Sequence, residues 1–335
     1  MSDPILVEIL RGALVESRHR GAVAITDAAG RIIRSWGDIE RPVYARSAIK
    51  PLQALPLVES GAADRYGCGS AELALACASH HGQPAHVETV TAWLGRAGLG
   101  VEDLECGAYL PTDPTASQAL IRAGEKPTAA HNNCSGKHSG FLTTARHLGE
   151  KTRGYIEAEH PVQQRIAKAL EEMTGLDLSN APRGRDGCGI PVIGFSLTGM
   201  ARGFARMVDP VGLSEERSTA ARRLLDAMAA APSMVDGSTG MCNAVMSVAG
   251  ASLRLKGGAE GVYCAALPGQ GLGIALKMED GAARASTLVM ATLLDRLGCF
   301  DETQRRALQP FLAPRLNNVA GVEVGFARPA AALDF

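Results

Sequence analysis

The sequence predicts a mixed α+β fold in which the two ends of the chain build one antiparallel sheet and the middle is helical. Three observations predict it. Short apolar runs with a period of two stand near the start, helix-sized segments fill the centre, and period-two runs return in the last third.

Residues 21–26 and 31–36 flank Asp27-Ala-Ala-Gly30, a hairpin signature in which the glycine can take a positive φ. The chain therefore opens with strands. Helix-sized segments follow over residues 48–61, 71–80, 86–97, 115–123 and 137–149, joined by loops rich in Gly, Pro, Asn and Asp. Residues 161–174 and 214–230 are also helical in pattern, the first opening with Pro161 in its first turn. Period two returns over residues 245–255, 261–267 and 272–278, the last ending in an Asp280-Gly281 turn, and residues 286–298 close with a helix. No internal repeat, low-complexity tract or composition shift marks a linker. The expectation is one interleaved unit over residues 1–335, with 1–46 and about 240–335 mostly sheet and about 47–239 mostly helical.

A chain of 335 residues can bury a substantial core without disulfides. Aromatic residues make up only 4% while glycines number 38, so that core is built from small aliphatic side chains. A formal net charge of -1 with no Lys/Arg block leaves no electrostatic footprint for nucleic acid or an anionic membrane, and points to a small ligand. The first 16 residues lack a basic segment followed by a long apolar run, and no stretch reaches the ~18 apolar residues of a membrane span, so the expected location is cytoplasmic. Eight scattered cysteines are then thiols. Cys77 and Cys264 lie in apolar runs that suit small core hydrophobes.

Arg46-Ser47-Ala48-Ile49-Lys50-Pro51 sets a hydroxyl and an amine three residues apart, one turn apart on one face if a helix begins at Ser47. Serine is a poor nucleophile until a base takes its proton. Lysine serves as that base only when burial or a neighbouring cation lowers its pKa from about 10.4. On its own the pair equally fits a helix N-cap followed by an exposed lysine. Ser79, in Cys77-Ala-Ser79-His-His81-Gly-Gln83, ends an apolar helical run and offers a second hydroxyl, or a simple helix cap. Lys256, in Arg254-Leu-Lys256-Gly-Gly258 just before the run 261–267, resembles the Lys-Thr-Gly strand motif that penicillin-binding proteins and β-lactamases combine with Ser-x-x-Lys.

The densest run of functional side chains is His131-Asn-Asn-Cys134-Ser-Gly-Lys137-His138-Ser-Gly140. A second polar, Gly-rich loop, Arg185-Asp186-Gly-Cys188-Gly-Ile-Pro191, carries one thiol, and two such loops can converge on zinc through thiolates. The spacing is not Cys-x-x-Cys, so chemistry alone leaves two unrelated buried thiols as the alternative. No Gly-x-x-x-x-Gly-Lys-Ser/Thr motif supports nucleotide binding.

Taken together, Arg46–Gln53, Ala78–Gln83, His131–His138, Asp186–Pro191 and Lys256–Gly261 resemble, in order and over nearly the whole chain, the asparaginase II family of rhizobial-type L-asparaginases. The resemblance implies a serine β-lactamase/glutaminase-like fold forming a single catalytic unit. It also implies two Ser-Lys tandems, Ser47 with Lys50 and Ser79 with Lys256. Cys134, Lys137 and Cys188 match zinc ligands, Asp186 is a natural partner behind them, and Cys242 matches a further thiol near that site; Arg46 and His138 are expected to bind substrate. A lysine ligand must be a neutral amine, which a divalent cation favours. The implied activity is hydrolysis of L-asparagine to L-aspartate and ammonia by a homodimeric enzyme. The alternatives are a glutaminase or other β-lactamase-like serine amidohydrolase, and, from another class, a non-enzymatic amino-acid or metal-binding protein.

Overall fold

The computed structural model describes residues 2–334, which divide into a sheet unit (residues up to Ala48, Phe195–Asp209 and from Ala244 on) and a helical unit (Ile49–Gly194 and Pro210–Asn243). The chain crosses from one to the other directly after Ser47-Ala48.

Eight strands form the sheet: β1 (Ile5–Arg11), β2 (Leu14–Asp27), β3 (Ile32–Trp36), β4 (Arg254–Gly258), β5 (Val262–Leu267), β6 (Leu272–Met278), β7 (Arg315–Asn317) and β8 (Glu323–Pro329). Their order is β7-β8-β1-β2-β6-β5-β4, with β3 also paired to β2. The adjacent pairs are antiparallel, so the two ends of the chain do share one sheet. All six residues of β5 are buried, which requires cover on both faces and explains why its sequence is a continuous apolar run.

Helices Leu197–Val208 and Ala283–Arg296 pack on the sheet. The first of these has no counterpart in the sequence expectation. Ser196 caps it by accepting from Gly199 N-H at 3.2 Å, and Leu197, Met200, Ala201, Phe204 and Ala205 put a buried stripe on one side. Gly273 in β6 makes the contact possible: a Cβ there would lie 1.9 Å from Ala201 O and 2.5 Å from Ala205 N.

The structure corrects the strand expected over residues 245–255. Met241–Ala249 is an α-helix, a 3-10 turn covers Gly250–Ser252, and β4 begins only at Arg254. Buried Cys242, Val245, Met246 and Ala249 follow the i, i+3, i+4, i+7 spacing of a helix, which a short apolar run does not distinguish from a strand. Lys256 lies within β4, opposite Cys264 of β5.

In the helical unit, helix Ser135–His147 is central, with every residue from Ser135 to Ala145 buried. Against it pack Ser70–Ala76, Pro84–Arg96 and Pro161–Thr174, and Glu215–Ala230 packs in turn on Ser70–Ala76. Gly136 lets two helices touch, since a Cβ there would lie 2.2 Å from Leu75 O. The helix expected over residues 48–61 is two pieces, Lys50–Gln53 and Leu55–Glu59, because Pro51 and Pro56 each begin a new first turn. Arg183–Arg185 and Pro191–Phe195 form a small antiparallel hairpin around Cys188. Among the described residues, no helix is long and apolar enough to cross a membrane.

Candidate active site

Within the helical unit, Lys50 begins the short helix Lys50–Gln53 and is 1% exposed. Its Nζ donates to the Ala78 carbonyl, approaches Ser79 Oγ at 3.2 Å and reaches the Asn133 carbonyl at 3.5 Å. Helix Ser70–Ala76 stops just before this loop, and Ser79 N-H donates to Val235 O at 2.9 Å. The lysine amine therefore meets a serine hydroxyl between two fixed carbonyls, inside the protein.

Cys134 is the N-cap of helix Ser135–His147, so Lys137, three residues on, stands over it in the first turn. Lys137 Nζ donates to Cys188 Sγ at 3.1 Å, bringing the thiol of the second Gly-rich loop to the first. Cys134 Sγ donates to Asn133 Oδ1 at 3.2 Å. The neighbouring Cys188 thiol, with the charge of Lys137, holds Cys134 well below the ordinary thiol range despite burial. Cys134 and burial push Cys188 up. Burial alone would lower Lys137, but the Cys134 and Cys188 sulfurs and the Asp186 carboxylate raise it above the usual lysine value.

A divalent cation needs donors that can shed protons toward a common point. Two thiols and a lysine amine meet that requirement here, with one sulfur already inclined to be a thiolate, so the donor set fits zinc. Among the described residues, no group of three His, Cys, Asp or Glu side chains is placed to hold a metal without the lysine. Asp186 sits in the hairpin turn, its Oδ1 accepting from Gly187 N-H at 2.8 Å. Cys242 opens helix Met241–Ala249, fully buried, its N-H donating to Asp236 Oδ2 at 2.8 Å.

His138, next to Lys137, is wholly buried; burial first and then the Lys137 charge push it well below the usual histidine value. Its Nδ1 shares a 2.7 Å bond with the Tyr155 hydroxyl, which also accepts from Glu105 N-H at 2.8 Å.

Ser47, Arg46 and Lys256 belong to the sheet unit. Ser47 lies in the 3-10 turn Arg46–Ile49, immediately after Arg46, whose φ of 49° places a non-glycine residue in the left-handed region. Such strain is sparse and collects at functional segments. Lys256 is 1% exposed in edge strand β4. Two residues along that strand, Gly258 backs onto the serine segment: a Cβ there would lie 2.9 Å from Ala48 N and 3.1 Å from Ala45 O.

Several residues that shape the helical unit's cluster carried no separate signal in the sequence. Asn132 donates to Cys106 O at 2.7 Å and accepts from Cys134 N-H at 2.8 Å, fixing the thiol's turn. His80 Nε2 and Ser135 Oγ share a 2.8 Å bond. Their only mark was the polarity of the two runs in which they sit.

Residues 7–329 match the family model described as L-asparaginase II. A comparison with curated proteins gives no match. Among solved structures, the chain is similar to a beta-lactamase from Mycobacterium bovis, at 15% identity over 83% of this chain and 93% of that one, with a TM-score of 0.37. It is also similar to a protein named Mglu, at 15% identity over 84% of this chain and 67% of that one, with a TM-score of 0.38.

Proposed function

The chain belongs to the L-asparaginase II family, and from that premise we propose that it hydrolyses L-asparagine to L-aspartate and ammonia through a serine made nucleophilic by Lys50. The observation that carries the proposal is the buried Lys50 amine lying 3.2 Å from Ser79 Oγ. Burial disfavours an ammonium. In its neutral state the amine has two N-H groups and one lone pair. Ala78 O and Asn133 O can take the N-H groups, and a serine O-H can then donate to the lone pair.

In the proposed reaction Ser47 Oγ attacks the side-chain amide carbon while its proton passes to Lys50, with Ser79 as relay. The C-N bond breaks, Lys50 gives the proton to the departing nitrogen, and ammonia leaves a β-aspartyl ester. Water then attacks the ester carbon, giving its proton to Lys50, and Ser47 Oγ departs and is reprotonated. Lys256 is assigned to polarising the serines, backbone N-H groups to the oxyanion, and Arg46 and His138 to substrate binding. Zinc held by Cys134, Lys137 and Cys188, with Asp186 and Cys242 nearby, would supply a fixed positive charge to orient the substrate's α-carboxylate or amine. The same proposal carries a cytoplasmic location, where the thiols stay reduced, and a homodimer.

The test is ammonia release from asparagine and glutamine, run beside hydrolysis of a chromogenic lactam. Preference for asparagine is the expected result. Asparagine binding without ammonia release would overturn it in favour of a binding protein, and preference for glutamine or the lactam would reassign the substrate.

A further inference from the structure

The loop from Cys77 to Gln83 has no regular structure of its own, yet it must hold Ser79 in place against Lys50. Two of its anchors reach the facing segment, residues 235–238. Ser79 N-H donates to Val235 O at 2.9 Å, and four residues later the Gln83 side chain uses its whole amide. Gln83 Nε2 donates to Asp113 Oδ2 at 3.0 Å and to Ser238 Oγ at 2.7 Å, while Gln83 Oε1 accepts from Ser238 N-H at 3.1 Å. Asp113 closes the arrangement: its N-H donates to His81 O at 3.1 Å, and its Oδ1 accepts from Ala116 N-H at 2.8 Å as the cap of helix Pro114–Ala123. The facing segment approaches it closely. Gly237 has a φ of 66°, and a Cβ on it would lie 2.7 Å from His81 Nδ1.

We infer that Gln83 is a positioning residue, whose amide fixes the Ser79 loop between Ser238 on one side and Asp113 on the other. It does not cap its own helix, where Gln83 N-H instead donates to His86 Nδ1 at 3.1 Å, so the side chain is left for this task. Only a primary amide fits: asparagine is one methylene too short, and a carboxylate keeps the acceptor but faces Asp113 with a like charge. The effect on the reaction rests on the assignment of Ser79 to the chemistry; the effect on the loop does not.

Two variants test it in the full-length protein. In Gln83→Glu, Asp113 from the capping turn is the charge that faces the new carboxyl, with His86 on its own helix and the His81 and Asp236 pair, 3.7 Å apart, beyond Ser238. One proton shared between the introduced carboxyl and that of Asp113 restores the missing donor. The kcat/KM of the variant relative to the parent is therefore expected to be about tenfold low near pH 8 and to climb toward parity near about pH 5.5. Gln83→Met is expected to be low throughout, with no recovery. Amide hydrogen exchange supplies a readout independent of activity: residues 78–83 and 235–239 exchange faster in Gln83→Met, while helix Ser135–His147 does not change. Exchange unchanged in both loops overturns the inference, as does a parent-like pH-independent ratio for Gln83→Glu. A parent that releases no ammonia from asparagine sinks the proposed function instead, and the exchange result still decides the role of Gln83.

Discussion

Lys137 Nζ lies 3.1 Å from Cys188 Sγ, with the lysine only 2% exposed. An amine raised above its usual value and a thiol also raised must both lose protons before they can bind a cation, whereas Cys134 is already inclined to be ionised. Zinc binding is predicted to release about two protons near neutral pH, so affinity rises with pH. Calorimetry in buffers of different ionisation enthalpy measures the number. Release near zero would remove this triad from the ligand set. Chelation is further expected to raise KM more than it lowers kcat.

Lys50→Met keeps the volume of the side chain and removes its nitrogen. Stability should fall by about 1–3 kcal/mol, because the buried Ala78 carbonyl loses its donor, and kcat should fall by roughly 100- to 10,000-fold, the usual contribution of a positioned acid-base group. Steady-state kinetics beside a thermal melt separate the two effects. Near-parent kcat would place the base elsewhere.

Gly273→Ala tests the packing of the sheet unit. The added methyl meets backbone on both sides, 1.9 Å from Ala201 O and 2.5 Å from Ala205 N, so no side chain can turn aside to admit it. We expect a loss of at least about 3 kcal/mol, or no folded protein. A urea midpoint equal to the parent's would contradict this contact.

His80 and His86 stack with ring centroids 4.8 Å apart, buried in the helical unit. Burial, and then the neighbouring His86 ring, push His80 well below the usual histidine value; burial likewise lowers His86, against the bond to Ser233 O. The unfolded chain takes up these protons near about pH 6.5, and the folded chain only at lower pH. In that window the unfolded state binds more protons, so stability is full above it and is lost on acidification, by up to about 1.4 kcal/mol per pH unit for each ring. Urea midpoints from about pH 8 down to pH 5 measure the slope. A flat profile would show that these rings titrate alike in both states.

The hairpin at Asp27–Gly30, helix Pro161–Thr174 and the strands around Cys264 were legible because each carries local punctuation: a turn glycine, a first-turn proline, or an apolar run of strand length. Helix Met241–Ala249 was not, because its apolar spacing over so few residues serves either period. Strands β7 and β8 also escaped, being short, half-exposed edge segments. At the site, the runs holding Ser79, Cys134 and Cys188 stood out by their polarity. The 3.2 Å approach of Lys50 to Ser79 did not, since 29 residues separate the two and only folding brings them together. Gln83 was visible as a letter in a motif, but its partners Asp113 and Ser238 lie 30 and 155 residues away.

A serine ester is the species on which the proposed chemistry turns. Mixing the protein with asparagine, quenching in acid within one turnover and mapping the peptides by mass spectrometry looks for it directly. A β-aspartyl group on the peptide containing Ser47 is the predicted result; the same mass on the Ser79 peptide would exchange the roles of the two hydroxyls, and an active enzyme with neither serine labelled would contradict the covalent route.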